Sequence, residues 1–205
     1  MPTSIKQSIA DTPGARIKAF NKLSTLVTGS PAGQGAVPAA AAALGVSTSE
    51  GGGFHKTVIS FGGTAVAMTD AGAAGSSGSL KLLTLPEGVI AFLGATTNLT
   101  IARLGTAITA TAAVVGSVGT VAAAADATLT STEADFVPSS AATLTAGAGA
   151  LKGKSLTAGI AVFDGATTAK DVFLNFAIPD AGSTGNDSLV VSGTVTLVWA
   201  SLGDN

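Results

Sequence analysis

The sequence predicts an all-β protein, a jelly-roll-like β-sandwich or a small barrel, with an extended N-terminal arm. Three observations carry that expectation. From Phe54 onward, apolar and polar residues alternate in short runs bounded by turn residues, which is the period of a half-buried strand. No long 3.6-residue periodicity separates those runs, so no helical layer is expected against the sheet. Residues 1–53 read differently, basic at first and then rich in Gly, Pro and Ala.

Taken in order, ARIKAFNKLSTLV (15–27) spaces Ile17, Phe20, Leu23 and Leu26 by three residues, with Lys18 and Lys22 elsewhere. This spacing predicts a short amphipathic helix or turn, basic on its polar side. Its stripe is short and its charge modest, which favours a protein partner over a lipid surface. Arg16, Ile17, Lys18, Phe20, Lys22 and Leu23 are the candidate anchoring residues of this arm. The next stretch, GSPAGQGAVPAAAAALGVSTSEGGG (29–53), cannot bury a core of its own and reads as a linker, the oligo-Ala run 39–43 included. The expected division is therefore 1–53, arm and linker, and 54–205, a β-rich domain.

Within the second part, HKTVISF (55–61), SLKLLTL (79–85), VIAFL (89–93), NLTIARL (98–104), GIAVF (159–163), DVFLNFAI (171–178) and SLVVSGTVTLVWASL (188–202) read as strands. Pro86-Glu87-Gly88 and Asp164-Gly165 have turn chemistry, and AGSTGND (181–187) reads as a loop. Residues 104–125 are uncharged and long enough to span a bilayer. They hold eight Ala, four Thr and three Gly, so their transfer energy is weak, and small-residue strands packed on a neighbour are expected instead. In TSTEADFVP (130–138), Thr130 and Glu133 form a capping-box pattern and Pro138 a stop, predicting a single turn.

Two strands show their faces clearly. Val172, Leu174, Phe176 and Ile178 share one side, with Asp171, Phe173, Asn175 and Ala177 on the other, and Pro179 ends the ladder. Leu189, Val191, Val195, Leu197 and Trp199 share a side, while Ser192, Thr194 and Thr196 point away. Gly193 interrupts the apolar side, where a bulge or a close backbone approach is expected. The short connection between these strands predicts that they pair as a hairpin.

Composition narrows the function. Charged residues are 11% of the chain, less than half the roughly 25% usual for soluble domains. A surface so poor in charge is expected to be covered by other copies or by another protein. The absence of Cys excludes disulfides and thiolate metal sites, and one His cannot build a multi-histidine site. A net charge of −2 makes no case for nucleic acid. The asymmetry is local: residues 1–30 hold Lys6, Arg16, Lys18 and Lys22 against Asp11, and the remainder is acidic. The first residues lack the apolar run of a signal peptide.

Candidate chemistry is thin. Gly153-Lys154-Ser155 imitates the end of a P-loop, but the leading glycine position holds Ala148, flanked by Gly147 and Gly149 one register away. Downstream, LTAGIAVF reads as a strand and not as the helix such a loop must open. A Ser–His–Asp triad would have to use His55, and no G-x-S-x-G elbow accompanies it. Asp164 with Asp171, Glu133 with Asp135, and Asp180 with Asp187 are the carboxylate pairs available for glycoside hydrolysis or calcium binding. All lie in expected turns or strand ends, where Asp serves backbone hydrogen bonds. The expectation is a protein that is not an enzyme and needs no cofactor.

The C-terminal pattern GIAVFDGATTAKDVFLNFAIPDAGSTGNDSLVVSGTVTLVWASLGDN, with ATLTSTEADFVPSS before it, resembles virion structural proteins of tailed bacteriophages, of the capsid cement or decoration type. The resemblance covers roughly residues 54–205. It implies a β-rich subunit, commonly a homotrimer, on the outside of the virion capsid across joints between major capsid protein subunits, with no catalytic residues. A phage tail or fibre component and a carbohydrate-binding surface module stay open as alternatives.

Overall fold

A computed structural model describes residues 45–51, 54–85, 88–154, 161–165 and 170–202. Ten strands make up most of them: β1 (Gly45–Gly51), β2 (Phe54–Asp70), β3 (Ser76–Thr84), β4 (Gly88–Arg103), β5 (Ala113–Gly119), β6 (Val137–Thr143), β7 (Ala148–Lys154), β8 (Ala161–Gly165), β9 (Asp171–Ile178) and β10 (Asp187–Ser201). Single 3-10 turns lie at Gly72–Ala74, Ser131–Glu133 and Asp180–Gly182. Among the described residues no helix is long and apolar enough to cross a membrane.

Eight strands pair in the order β6-β5-β9-β3-β2-β10-β4-β7, every neighbour antiparallel. The two ends of that order, β6 and β7, lie against each other and are joined by a tight reversal. Thr145 and Ala148 exchange backbone hydrogen bonds of 2.6 and 3.2 Å. Ala146 and Gly147 between them have φ of 52° and 88°, the left-handed pair of a type I′ hairpin turn. The sheet thereby comes close to closing into a barrel. The all-β expectation is met, in its barrel form.

Three strands outrun the barrel. β2, β10 and β4 are 17, 15 and 16 residues long. β3 pairs with β2 only at Thr69 and Asp70, while β1 pairs along Phe54–Ser60 of the same strand. On the far side, β7 takes Thr96–Ala102 of β4 and β8 takes Gly88–Phe92.

A strand this long keeps one face on the core only if its alternation is reset where the surface curves. Both outer members of the trio do so by a bulge. In β2, Ile59 and Phe61 are buried, then Gly63 is skipped in the register and burial resumes at Val66 and Met68. In β4, Ile90 and Phe92 are buried, Leu93 is skipped, and burial resumes at Ala95, Thr97 and Leu99. Without the extra residue, each second half would turn its apolar side to water.

The core runs through the barrel and on under the extension. Val172, Leu174, Phe176 and Ile178 of β9 are fully buried, as expected from their alternation. The apolar side of β10 is Leu189, Val191, Val195, Leu197 and Trp199, each at most 1% exposed. A side chain added at Gly116 would lie 2.3 Å from Leu151, so that glycine makes room for a leucine reaching across the interior.

The outer face of β9 is covered as well. The long β5–β6 connection folds over Asn175, which is fully buried and fully bonded. Its Oδ1 accepts from the Ser79 hydroxyl (2.8 Å) and the Ala123 N–H (3.1 Å). Its Nδ2 donates to the Val121 and Glu133 carbonyls at 2.9 and 2.8 Å. The expected single turn at 130–138 lies in this connection, and Glu133 accepts from the Thr130 N–H at 3.0 Å.

Several expectations are corrected. β9 and β10 are not a hairpin: β9 pairs with β3 and β5, and β10 with β2 and β4. Pro179, the turn at Asp180–Gly182 and a bridge from Ser183 to Ile108 carry the chain across the barrel mouth. Residues 89–93 and 98–104, read as two strands, form the single bulged β4. β1 begins at Gly45, inside the stretch expected to be linker. Pro138 does not precede β6 as a stop but stands second in it, and Asp164-Gly165 ends β8 instead of making a turn.

Gly193 matches its expectation. Its φ is 117°, and a Cβ there would stand 2.2 Å from the Asn98 carbonyl oxygen. Gly193→Ala should cost roughly 3 kcal/mol in denaturant unfolding, from strain and overpacking together. Gly62→Ala, where a Cβ meets nothing within 4 Å, should stay within about 0.5 kcal/mol. Asn175→Ala should also lose about 3 kcal/mol by stranding its four partners, and amide exchange in residues 120–135 should quicken.

Candidate interaction surface

Four of the carboxylates singled out in the sequence, Asp171, Asp187, Glu133 and Asp135, are engaged in holding loops and strand ends. Asp171 accepts from Lys81 Nζ at 2.6 Å and from the Thr84 hydroxyl at 2.7 Å. Burial acts to raise its pKa, but the Lys81 and Thr84 donors outweigh that and hold it below the ordinary value. Asp187 accepts from the N–H groups of Gly105 (2.8 Å), Ser188 (2.7 Å) and Ile108 (2.9 Å), which fixes the loop after β4. Burial is again opposed, and its pKa is lowered, by the amides of Ile108, Ser188, Gly105 and Ala107. Asp180 opens the 3-10 turn after β9 and is exposed.

Glu133 and Asp135 serve the β5–β6 connection separately. Glu133 accepts from the Ala124 and Thr130 amides, and Asp135 from the Thr120 amide (2.9 Å) and hydroxyl (2.7 Å). Burial raises the Asp135 pKa, and its Thr120 donors offset only part of this. Asp164 stands in β8 opposite Val89. Among the described residues no group of three or more His, Asp or Glu could hold a metal ion.

The other sequence leads resolve into packing. His55 lies face to face with Trp199, ring centroids 4.0 Å apart and 14° from parallel, and the Trp199 indole N–H donates to the Thr57 hydroxyl at 3.2 Å. Gly153 and Lys154 lie in β7, where the Gly153 N–H donates to the buried Thr97 hydroxyl at 2.7 Å. These two residues belong to a strand ladder with β4. Ser155 and the anchoring residues Arg16, Ile17, Lys18, Phe20, Lys22 and Leu23 lie outside the described residues.

What remains is a surface that no motif announced, the outer face of β2, β10, β4 and β7. Registers place its rows side by side. Lys56, Val198 and Gly94 form one row, and Val58, Thr196, Thr96 and Lys154 the next. Ser60, Thr194, Asn98 and Lys152 come third, then Gly62, Ser192, Thr100 and Ala150. Ala65, Val190, Ala102 and Ala148 complete it. The β2, β4 and β7 positions are mostly exposed and those of central β10 half-buried.

No carboxylate stands in these rows. Their charged positions are Lys56, Lys152 and, by register, Lys154; Lys56 and Lys152 are exposed and without an ion pair among the described residues. By register the nearest acidic position on this side is Asp164, beyond the row of Phe54, Ala200 and Ala91. Four strands at about 4.8 Å spacing over about eleven residues amount to roughly 700 Å². A stable protein interface takes about 800 Å² from each partner. The sequence signal for this face was present in β10, where Ser192, Thr194 and Thr196 alternate with the buried set. Its extension across four strands depended on pairings that a linear reading does not contain.

No protein-family model matches this chain, and no curated protein matches it.

The lowered Asp187 pKa has a pH consequence. Its contribution is complete above the unfolded-state value of about 3.9 and is lost as pH falls through the lower folded-state value. Asp187→Asn should cost about 1 kcal/mol at pH 7, discounted for partial exposure. Urea unfolding should show this gap from wild type narrowing as the solution is acidified below about pH 3.9.

Proposed function

We propose that this chain is a virion structural protein of the capsid cement type, set on the outside of a tailed-phage head across joints between major capsid protein subunits. The observation that carries the reading is the outer face of β2, β10, β4 and β7: interface-sized, built from small uncharged side chains and free of carboxylates. A charge content of 11% supports it, since such a chain suits a life covered by neighbours. Asp171, Asp187, Glu133 and Asp135 are occupied with their own loops and strand ends, which favours a structural role over an enzymatic one. The resemblance of roughly residues 54–205 to cement proteins suggests the location, and with it self-association as a homotrimer.

In this reading the residues before β1 reach onto the lattice or an adjacent subunit, with Arg16, Ile17, Lys18, Phe20, Lys22 and Leu23 as contacts. Repetition over a symmetric shell multiplies a modest affinity at each site.

Antibody labelling of virions should mark the head lattice; labelling confined to the tail would replace this reading with a tail component. Solution mass at two protein concentrations should give a stable trimer, and a strict monomer would count against the assembly. Deleting residues 1–27 should lower occupancy on heads, and unchanged occupancy would remove the arm from the attachment.

A further inference from the structure

Resting on that reading, we infer that the outer face of the long strands docks on a protein surface that presents carboxylates to Lys56 and Lys152. The two lysines lie three strands and two rows apart, a separation of roughly 20 Å. Both are exposed, neither is spent on an ion pair among the described residues, and no acidic residue interrupts the rows between them. The small side chains around them let a partner backbone approach closely at little cost in rotamer entropy. The lysines then fix the orientation of an otherwise featureless contact, because charges across an interface set register and exclude wrong partners.

Other ligand classes fit this face poorly. Duplex nucleic acid carries a charge about every 1.7 Å of axis, far more than three lysines on this face can answer. A membrane surface would need large apolar side chains, and the rows offer none beyond Val58, Val190 and Val198. Glycan platforms need aromatic rings, yet Trp199 faces inward and Phe54 stands at the far margin. A second copy is a separate outcome of the test, since its Asp171 and Asp187 carboxylates already hold Lys81 and backbone amides while its Asp180 is exposed.

The test uses the full-length chain and heads assembled from the major capsid protein of the virions that carry it. Binding is followed by co-sedimentation from low to high NaCl. Wild type should bind and weaken as salt rises, and Lys56→Glu/Lys152→Glu should bind roughly 100-fold more weakly. Lys56→Ala/Lys152→Ala should bind about tenfold more weakly with a flatter salt dependence. Unchanged thermal midpoints in both double variants would show that the fold is intact. Wild-type binding that ignores salt and both double substitutions would overturn this inference while leaving the capsid reading in place. Failure of the wild type to bind heads would instead overturn the capsid reading. Loss of self-association in the reversal variant, with head binding intact, would reassign the face to a second copy and overturn the inference.

Discussion

The pairing of β10 with β2 on one side and β4 on the other is the constraint on which the rest of the structure depends. Both ladders run over thirteen or more residues. Together they make one stiff plate that serves two purposes along its length. One half is the wall of a barrel completed by β3, β9, β5, β6 and β7. The other half projects past the barrel and is edged by β1 and β8. Every inward side chain of β10 belongs to a single apolar cluster, so a change in its register would disturb both halves at once.

Maintaining that plate requires local departures from regular geometry. The bulges at Gly63 and Leu93 reset the alternation of the two outer strands, and Gly193 lets the plate pass close to the β4 backbone. The conspicuous polar groups work in the same service. Asn175 ties a long connection to the barrel wall, and Asp187 staples the loop after β4 to the start of β10. Asp187 and Asp171 stabilise the fold most at neutral pH, whereas the raised pKa of Asp135 works in the opposite sense, its contribution fading as pH rises.

Period-two alternation made β9 and β10 legible residue by residue, because each presents large apolar groups to one side and polar ones to the other. β7 was not legible for a physical reason. In AGALKGK the inward positions include Gly149 and Gly153, small because Leu144, Thr97 and Val137 crowd them, so hydrophobicity does not reveal the strand. Strand partners were legible only where the turn is short. The eight residues from Pro179 to Asn186 look like a hairpin loop, yet they bridge strands that never pair. The outer face was half visible, in the Ser/Thr alternation of β10. Lys56 and Lys152 gave no signal, since a lysine on a strand reads as ordinary solvation until its neighbours across three strands are known.

The direction in which β1 and β10 run has a mechanical consequence. Both are antiparallel to β2, so both head toward the same end of the extension. Tension between Gly45, where β1 begins, and Ser201, where β10 ends, therefore pulls these strands lengthwise in opposite senses past β2. The ladders bear such a load in shear, many hydrogen bonds at once, and are not peeled one rung at a time. Held at those two points, the plate would thus meet a stretching force with many rungs loaded together.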